Sequence, residues 1–214
     1  EKHPVIIAFH GHGGHMQGTA DQMQFQIVWP EAVVVYPQGL DAPGAVHDQA
    51  GHAPGWQLVP GDQGDRDLKF FDRILETMRQ KFAVDNRRVY AAGFSNGAIF
   101  AYVLWAKRGA TLAAIGTVAG RLWPPTELTS PLPVLHIAGL ADATVVLAWQ
   151  AETLEADRKI NNAPLKQSEP CGDCCVLSPS SVEAPVKALF HTGGHIYPSF
   201  ASAEFVKFFK AHKR

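Results

Sequence analysis

A glycine-flanked serine is the feature of this sequence best suited to chemistry. The segment Gly93–Gly97 reads G-F-S-N-G and fits the G-x-S-x-G pattern, in which a serine occupies a very tight strand-to-helix turn. Such a turn exposes the hydroxyl and requires small residues two positions before and after the serine, which Gly93 and Gly97 provide. A strand-like segment precedes the motif and a helix-like segment follows it, so we predict that Ser95 is a nucleophile. An incidental serine in a glycine-rich turn is the simpler alternative.

A serine hydroxyl becomes a good nucleophile only when a base removes its proton. Among the ten histidines, His195 is the best candidate because it follows the last strand-like segment. Loops at the carboxyl ends of parallel strands gather at the active sites of α/β proteins. His191 lies closer to the end of that strand and is the second candidate, although a loop histidine bonded to the backbone is the simpler interpretation of it.

The histidine in turn needs a carboxylate that fixes its tautomer and stabilises the imidazolium. Asp142 follows another strand-like segment at the same edge of the sheet, and it is our candidate, with helix capping as its alternative role. Asp157, within a helix, and Asp173, in a cysteine-rich loop, are weaker candidates. The chain order serine, aspartate, histidine is that of α/β-hydrolases and differs from both major serine protease arrangements.

Backbone amides are predicted to complete the site as an oxyanion hole. The amide of Asn96, directly after the serine, should provide one donor, and the loop after the first strand should provide the second. That loop reads H-G-H-G-G from His10 to Gly14, and we assign the donor to the amide of His12. Its glycines let the backbone approach a substrate closely.

The same loop supports a competing hypothesis, a zinc-dependent hydrolase. His10, His12 and His15 have the spacing H-x-H-x-x-H, and His52 lies in a second histidine-containing segment, so clustered imidazoles could hold a metal. A dinuclear site would need an aspartate where Gly14 stands, however, and a zinc site leaves the serine turn unexplained. We therefore expect no metal and no cofactor.

These residues need a sheet that brings them to one edge. Short β-branched runs alternate with helix-period stretches, which is typical of a parallel sheet flanked by helices. The predicted strands are Val5–Phe9, Ala32–Tyr36, Arg88–Ala92, Leu112–Val118, Pro133–Ile137 and Val186–Phe190. The predicted helices are Asp67–Phe82, Ser95–Arg108, Thr144–Asn161 and Ser199–Lys210. We therefore predict an α/β fold, a three-layer α/β/α sandwich with a mostly parallel sheet (the α/β-hydrolase fold), in a single domain over residues 1–214.

Two irregular segments separate the predicted elements. Gly39–Gly64 is long and rich in glycine, proline, histidine and aspartate, which favours a functional loop. Within it, Trp56 is our candidate for a pocket wall that suits an apolar or aromatic acyl group, with a core tryptophan as an equal alternative. Tyr197, beside His195, is a weaker pocket candidate. Asn162–Pro185 holds the three cysteines and is expected to be a surface excursion.

Composition bears on partners and location. Lys and Arg number 19 against 20 for Asp and Glu, a balance that gives no reason to expect nucleic acid or an anionic membrane as partner. Because Cys171, Cys174 and Cys175 are odd in number, at most one internal disulfide forms and at least one thiol remains. A disulfide, and a first residue other than Met, both fit export, although simple trimming also explains that start. A secreted or periplasmic location is our expectation, and monomer and homodimer both stay open.

Together these motifs resemble the polyhydroxybutyrate depolymerase and feruloyl esterase branch of the α/β-hydrolases. The resemblance runs through most of the chain and is carried by His10–Gly14, Tyr36–Gly39, Gly55-Trp56, Asp67–Phe71, Gly93–Ala98, Asp142 and Gly194-His195. It implies a secreted serine esterase that cleaves polyester, acetyl or hydroxycinnamoyl esters, in small molecules or polymers, without a cofactor.

Two departures from that family concern the substrate. Ile196-Tyr197-Pro198 stands where a tryptophan commonly follows the catalytic histidine, and the Cys171–Cys175 loop is also unusual. Both changes touch the acyl or alcohol pocket, so they bear on which ester is hydrolysed. A non-catalytic ligand-binding relative is the remaining alternative, against which the complete set Ser95, Asp142 and His195 argues.

Overall fold

One eight-stranded sheet organises the chain in the computed structural model, which describes residues 2–214. The strands of the chain are β1 His3–Phe9, β2 Val33–Val35, β3 Leu40–Asp41, β4 Pro54–Gly55, β5 Val84–Phe94, β6 Ala114–Val118, β7 Val134–Gly139, β8 Glu169–Pro170, β9 Cys175–Ser178 and β10 Val186–His191. Their order in the sheet is β2-β1-β5-β6-β7-β10-β9-β8, and β3 and β4 pair separately. Neighbouring strands in the part β2-β1-β5-β6-β7-β10 of this order are parallel. The last two strands, β9 and β8, continue the sheet in antiparallel pairing.

Helices cover both faces of this sheet. They are α1 Met16–Met23, α2 Phe25–Val28, α3 Arg66–Lys81, α4 Asn96–Arg108, α5 Leu147–Ile160 and α6 Ala201–Ala211, with 3-10 turns at Asp62–Asp65, Gly109–Thr111 and Leu165–Gln167. Alternate residues of β1 belong to different apolar clusters, because successive side chains of a strand point to opposite faces. Val5, Ile7 and Phe9 pack with residues of α3, α4 and α5, whereas Ile6 and Ala8 pack with residues of α1, α2 and α6. The predicted three-layer sandwich with a mostly parallel sheet is therefore confirmed.

The predicted strands and helices are all present, with ends shifted by up to four residues. The largest shift is at the start of β5, which begins at Val84 instead of Arg88, because the exposed polar residues at its start hide the strand pattern. The helix α1 was not predicted. Its sequence is largely polar, and its cap is the ring of His15, whose Nδ1 accepts from the amide of Gly18, instead of a usual capping residue.

The prediction that Asn162–Pro185 is only a surface excursion is wrong. Its strands β8 and β9 extend the sheet, and β9 pairs antiparallel with β10. Both strands are short and lie among prolines and cysteines, where no period can be recognised. Cys171, directly after β8, forms a disulfide with Cys175, the first residue of β9, and Cys174 is a free, exposed thiol. Among residues 2–214, no helix has the length and apolar character needed to span a bilayer.

Candidate active site

Ser95 lies in the turn between β5 and α4, at the carboxyl edge of the sheet. Its backbone has φ 54° and ψ −118°, a strained conformation for a residue with a side chain. The turn is held by the Ser95 amide, which donates to the carbonyl of Val118 at 2.9 Å. Strain of this kind at a half-buried serine in a strand-to-helix turn is typical of a nucleophile held in a fixed orientation.

The two glycines of the motif are required by close backbone contacts. A Cβ on Gly93 would lie 2.2 Å from the carbonyl oxygen of Gly97, and a Cβ on Gly97 would lie 2.3 Å from that of Phe9. Real Cβ atoms never come so close to backbone atoms, so larger residues would force the turn apart. The sequence-based requirement for small residues at both positions is confirmed.

The structure brings Ser95, His195 and Asp142 into one hydrogen-bonded row. His195 Nε2 lies 2.8 Å from Ser95 Oγ, and His195 Nδ1 lies 2.9 Å from Asp142 Oδ2. The Asp142 carboxylate is fully buried, whereas the His195 ring is about one-fifth exposed. These distances are those of a nucleophile, a base and an orienting carboxylate.

Direct contacts between two loops bring the aspartate to the histidine. After β7, the amide of Leu140 donates to His191 O at 2.8 Å, and the amide of Ala141 donates to Gly193 O at 3.1 Å. Gly139 and Gly194 meet so closely that a Cβ on Gly139 would lie 2.5 Å from the carbonyl oxygen of Gly194. The parallel pairing of β7 with β10 thus continues into the loops that carry Asp142 and His195.

Hydrogen bonds fix which nitrogen of His195 carries the proton. Asp142 Oδ1 accepts from the amides of Thr144 and Val145, each at 2.9 Å, so Oδ2 is left to accept from His195 Nδ1. A carboxylate only accepts, so Nδ1 must be the protonated nitrogen. In the neutral ring, Nε2 is then unprotonated and is oriented to accept the hydroxyl proton of Ser95.

The two predicted oxyanion residues lie beside the serine. Asn96 is the first residue of α4, and His12 is in the loop that follows β1. Within residues 2–214, neither the Asn96 amide nor the His12 amide donates a hydrogen bond, so both are available to an incoming oxygen. The roles of these two amides as oxyanion donors stay predictions.

A cavity of about 330 Å³ opens at Ser95 and His195. The residues that line it beyond the predicted ones are Gly44, Ala45, Val46, His47, Ile99, Thr144 and Val145. A second, more open groove of about 300 Å³, on the other side of the oxyanion loop, is lined by His10–His15, Gly18, Thr19, Gln22 and Phe94. The sequence signal for the first cavity is the length and composition of Gly39–Gly64, but no pattern marks which of its residues face the serine.

The prediction that Trp56 forms a pocket wall is wrong. Its side chain is fully buried, and its ring packs against the rings of Phe9, His10 and Phe100. The indole N–H donates to His10 O at 3.0 Å, as a buried tryptophan requires. Trp56 therefore anchors the long loop in the core, which is the alternative that the sequence left open.

Tyr197 is also not a pocket residue. It is 9% exposed, and its hydroxyl lies 2.7 Å from Ser202 Oγ, within the apolar layer that α6 covers. His191, the second candidate for the base, is the last residue of β10, and its Nδ1 accepts from the amide of Gly193, a backbone contact like the one its simpler interpretation predicted. The assignment of the base to His195 is thus the one that the geometry supports.

The histidines of the oxyanion loop have separate partners. His10 is buried; its Nδ1 donates to Gly11 O at 2.8 Å and its Nε2 accepts from the Gly39 amide at 2.9 Å, which leaves neither nitrogen for a metal. Burial lowers the pKa of His10 and keeps it neutral. His12 bonds to Asp48. Within residues 2–214, no three His, Cys, Asp or Glu side chains are arranged to hold a metal ion.

Known proteins with similar sequences are esterases. The phospholipase/carboxylesterase family model matches residues 1–172. A protein named as an esterase, NocK of Nocardia uniformis subsp. tsuyamanensis, is 33% identical over 151 residues, which cover 66% of this chain and 41% of NocK. Feruloyl esterase C of Emericella nidulans is 26% identical over 206 residues, or 90% of this chain and 70% of that protein. The chain thus spans less than half of NocK.

Solved structures agree on the fold. The carboxylesterase of Bacillus cereus superimposes with a TM-score of 0.66 over 98% of this chain and 88% of that chain. Its sequence is 19% identical, so the similarity is one of architecture.

Proposed function

The chain belongs to the phospholipase/carboxylesterase family, whose members are carboxylic ester hydrolases of the α/β-hydrolase fold, and we propose that it is a serine esterase working through an acyl-enzyme on Ser95. The observation that carries this proposal is the hydrogen-bonded row from Ser95 Oγ through His195 to the buried Asp142. The buried carboxylate orients His195, and His195 in turn contacts the strained serine.

The proposed reaction has two steps that use the same base. His195 Nε2 takes the proton of Ser95 as Oγ attacks the ester carbonyl, and the resulting oxyanion accepts from the amides of His12 and Asn96. Collapse breaks the bond to the alcohol oxygen, which takes the proton from His195 and leaves an acyl-serine. Water then attacks the acyl carbon and gives a proton to His195 Nε2. The bond between the acyl carbon and Ser95 Oγ breaks, Oγ takes the proton back from Nε2, and the carboxylic acid leaves.

The cavity favours esters with a compact acyl or aryl-acyl group. Its wall is largely apolar, with Val46, Ile99 and Val145 beside the serine. A cavity of about 330 Å³ accommodates an acetyl, short acyl or hydroxycinnamoyl group, and it lies near the lower end of the usual size range of ligand pockets. The name of the related feruloyl esterase C makes the hydroxycinnamoyl ester a natural member of a test panel.

Hydrolysis of p-nitrophenyl acetate, butyrate and octanoate, with methyl ferulate alongside, tests this function directly. We expect turnover by the wild type that is lost in Ser95→Ala. Equal turnover by both proteins would contradict the assignment of Ser95. Inactivity of both would favour the non-catalytic alternative or an ester outside the panel.

We also propose a secreted or periplasmic location. The Cys171–Cys175 disulfide supports it, since such bridges persist mainly in oxidising compartments. If the protein isolated from its own cells under non-reducing conditions lacked this disulfide, the result would count against this location.

A further inference from the structure

Asp48 lies within the loop Ala42–Trp56 and binds the side chain of His12. Its Oδ2 accepts from His12 Nε2 at 3.0 Å and from the amide of Ala53 at 2.9 Å, and both of its oxygens accept from the amide of His52. These contacts, the His52 amide foremost, hold the pKa of Asp48 below its ordinary value. Asp48 is therefore a carboxylate at neutral pH and can only accept hydrogen bonds.

The His12 ring depends on that carboxylate for its orientation. Since Asp48 only accepts, His12 Nε2 carries the proton it donates, and its buried Nδ1 has no partner among residues 2–214. The ring lies between the backbones of two glycines. A Cβ on Gly44 would come within 3.1 Å of the ring, and a Cβ on Gly55 would lie 2.7 Å from Nδ1. Side chains at either position would push the ring away, so the loop closes tightly on His12.

The far end of the same loop holds Asn96. The amide of Trp56 donates to Asn96 Oδ1 at 2.7 Å, and Asn96 Nδ2 donates to the carbonyl of Trp56 at 3.0 Å. Both residues are buried. The Cβ position of Gly55 that touches His12 also lies 3.0 Å from Asn96 Oδ1, and the Gly13 amide donates to Pro54 O at 2.7 Å.

We propose that the loop Ala42–Trp56 positions both donors of the oxyanion hole, through Asp48 acting on His12 and the Trp56 backbone acting on Asn96. The inference rests on the proposed function. Oxyanion donors act only when they lie about 2.7–3.1 Å from the developing charge, and loss of one costs about 10²- to 10³-fold in kcat. A backbone amide turns only when its residue moves. Anchoring the side chains of His12 and Asn96 therefore fixes their amides, and Asp48 is a positioning residue.

Substitutions that keep the amide itself can separate positioning from donation. His12→Ala retains the backbone N–H, whereas Asp48→Ala removes the anchor of the His12 ring together with the bonds to the amides of His52 and Ala53. We expect each of these two substitutions to lower kcat for p-nitrophenyl acetate by about tenfold, because a misplaced donor costs less than a deleted one. The KM should stay within about twofold of the wild-type value. Because both substitutions break the same contact, that between His12 and Asp48, the double variant should be no slower than the slower single variant. Asp48→Asn retains an acceptor oxygen and should lie between wild type and Asp48→Ala.

The affinity of a boronic acid inhibitor tests the oxyanion hole separately from the stability of the loop. The tetrahedral boronate formed on Ser95 places a negatively charged oxygen in the oxyanion hole, so its Ki should rise by the factor by which kcat/KM falls. Asp85→Asn is the matched control, because Asp85, near the start of β5, likewise accepts from a backbone amide and from a side-chain N–H, that of Arg88. It should keep the wild-type kcat and Ki.

Either of two results would overturn the inference: both single variants within twofold of the wild-type kcat, or losses that multiply in the double variant. Circular dichroism and thermal melting establish that each variant is folded, and if Asp48→Ala is not, Asp48→Asn and His12→Ala decide in its place. Failure of the proposed function is a different result, in which Ser95→Ala retains activity. If Ser95→Ala is inactive while the Asp48 and His12 variants are unaffected, only the present inference fails.

Discussion

Asp142 Oδ1 accepts the backbone amide of Val145 at 2.9 Å, while its Oδ2 lies 2.9 Å from His195. Val145 in turn lines the cavity at Ser95. One buried carboxylate therefore fixes both the ring of the proposed base and the backbone of a cavity wall. The helix-capping role considered for Asp142 is wrong: α5 begins at Leu147 without a side-chain cap, and Asp142 Oδ1 instead accepts from amides in the turn before the helix.

The Asp142 contact predicts a loss of rate without a loss of fold in Asp142→Asn. The amide oxygen can still accept from Thr144 and Val145, but its NH₂ group would face His195 Nδ1 and favour the tautomer that cannot accept from Ser95. We expect kcat to fall by about 10³- to 10⁴-fold, near the value for the same change in a serine protease, with little change in melting temperature. Asp173→Asn, in an exposed loop, is the control and should retain full activity. A loss of less than about threefold in Asp142→Asn would contradict the assignment.

The cavity wall predicts how the chain length of the acyl group is selected. Val46→Trp should fill part of the space beside Ser95 and reduce kcat/KM for the octanoate ester about tenfold more than for the acetate, as expected if roughly two methylene groups lose apolar contact. Val182→Trp, at a position 47% exposed outside the cavity lining, is the matched control. An equal effect of Val46→Trp on both esters would show that the acyl chain binds elsewhere.

Burial of Trp56 predicts that its substitution affects stability and leaves selectivity alone. Trp56→Phe removes the hydrogen bond to His10 O and leaves a void beside Phe9 and Phe100. We expect urea unfolding to show a loss of about 2 kcal/mol, while the ratio of ferulate to acetate hydrolysis stays at the wild-type value. A changed ratio with unchanged stability would restore Trp56 to the pocket.

A buried polar cluster under α5 predicts a pH dependence of stability. Asp157 accepts from the hydroxyl of Tyr102 at 2.9 Å, and that hydroxyl lies 3.2 Å from Nδ1 of the buried His136. Burial raises the pKa of Asp157 to about 8 and lowers that of His136 to about 4. Both groups are therefore neutral in the folded protein near pH 6, and they respond to pH in opposite directions.

The sign for Asp157 follows from linkage. The folded protein keeps a proton that the unfolded chain releases near pH 4, so the stability contributed by Asp157 is full below that pH and is lost as the pH rises towards about 8. The Asp157→Asn variant does not lose this stability as the pH rises. The difference between its melting temperature and that of wild type should therefore shift in favour of the variant between pH 5 and pH 8. Asp85→Asn is the control, since the pKa of Asp85 is held below its ordinary value by the Arg87 amide and nearby arginines. A difference between Asp157→Asn and wild type that is independent of pH would contradict the buried neutral acid.

Much of the site could be predicted because its chemistry depends on local pattern and chain order. The turn at Ser95 needs small neighbours, and Asp142 and His195 follow strands whose carboxyl ends must meet at one edge of a parallel sheet. The pocket residues could not be predicted in this way. Trp56 and Val46 lie in the same loop, and only the packing of Phe9 and Phe100 determines which of them faces the core. The contact between Asp48 and His12 joins positions 36 residues apart, and no periodicity links them.

Covalent trapping at Ser95 tests the central claim most directly. A fluorophosphonate reacts with a serine hydroxyl only when a neighbouring base and an oxyanion site activate it, so intact mass spectrometry of the treated protein reports the site independently of any chosen ester. We predict one phosphonyl adduct per wild-type chain, located by peptide mapping on Ser95, and none on Ser95→Ala. An unmodified wild type that still hydrolyses esters, or an adduct that persists in Ser95→Ala, would contradict the account.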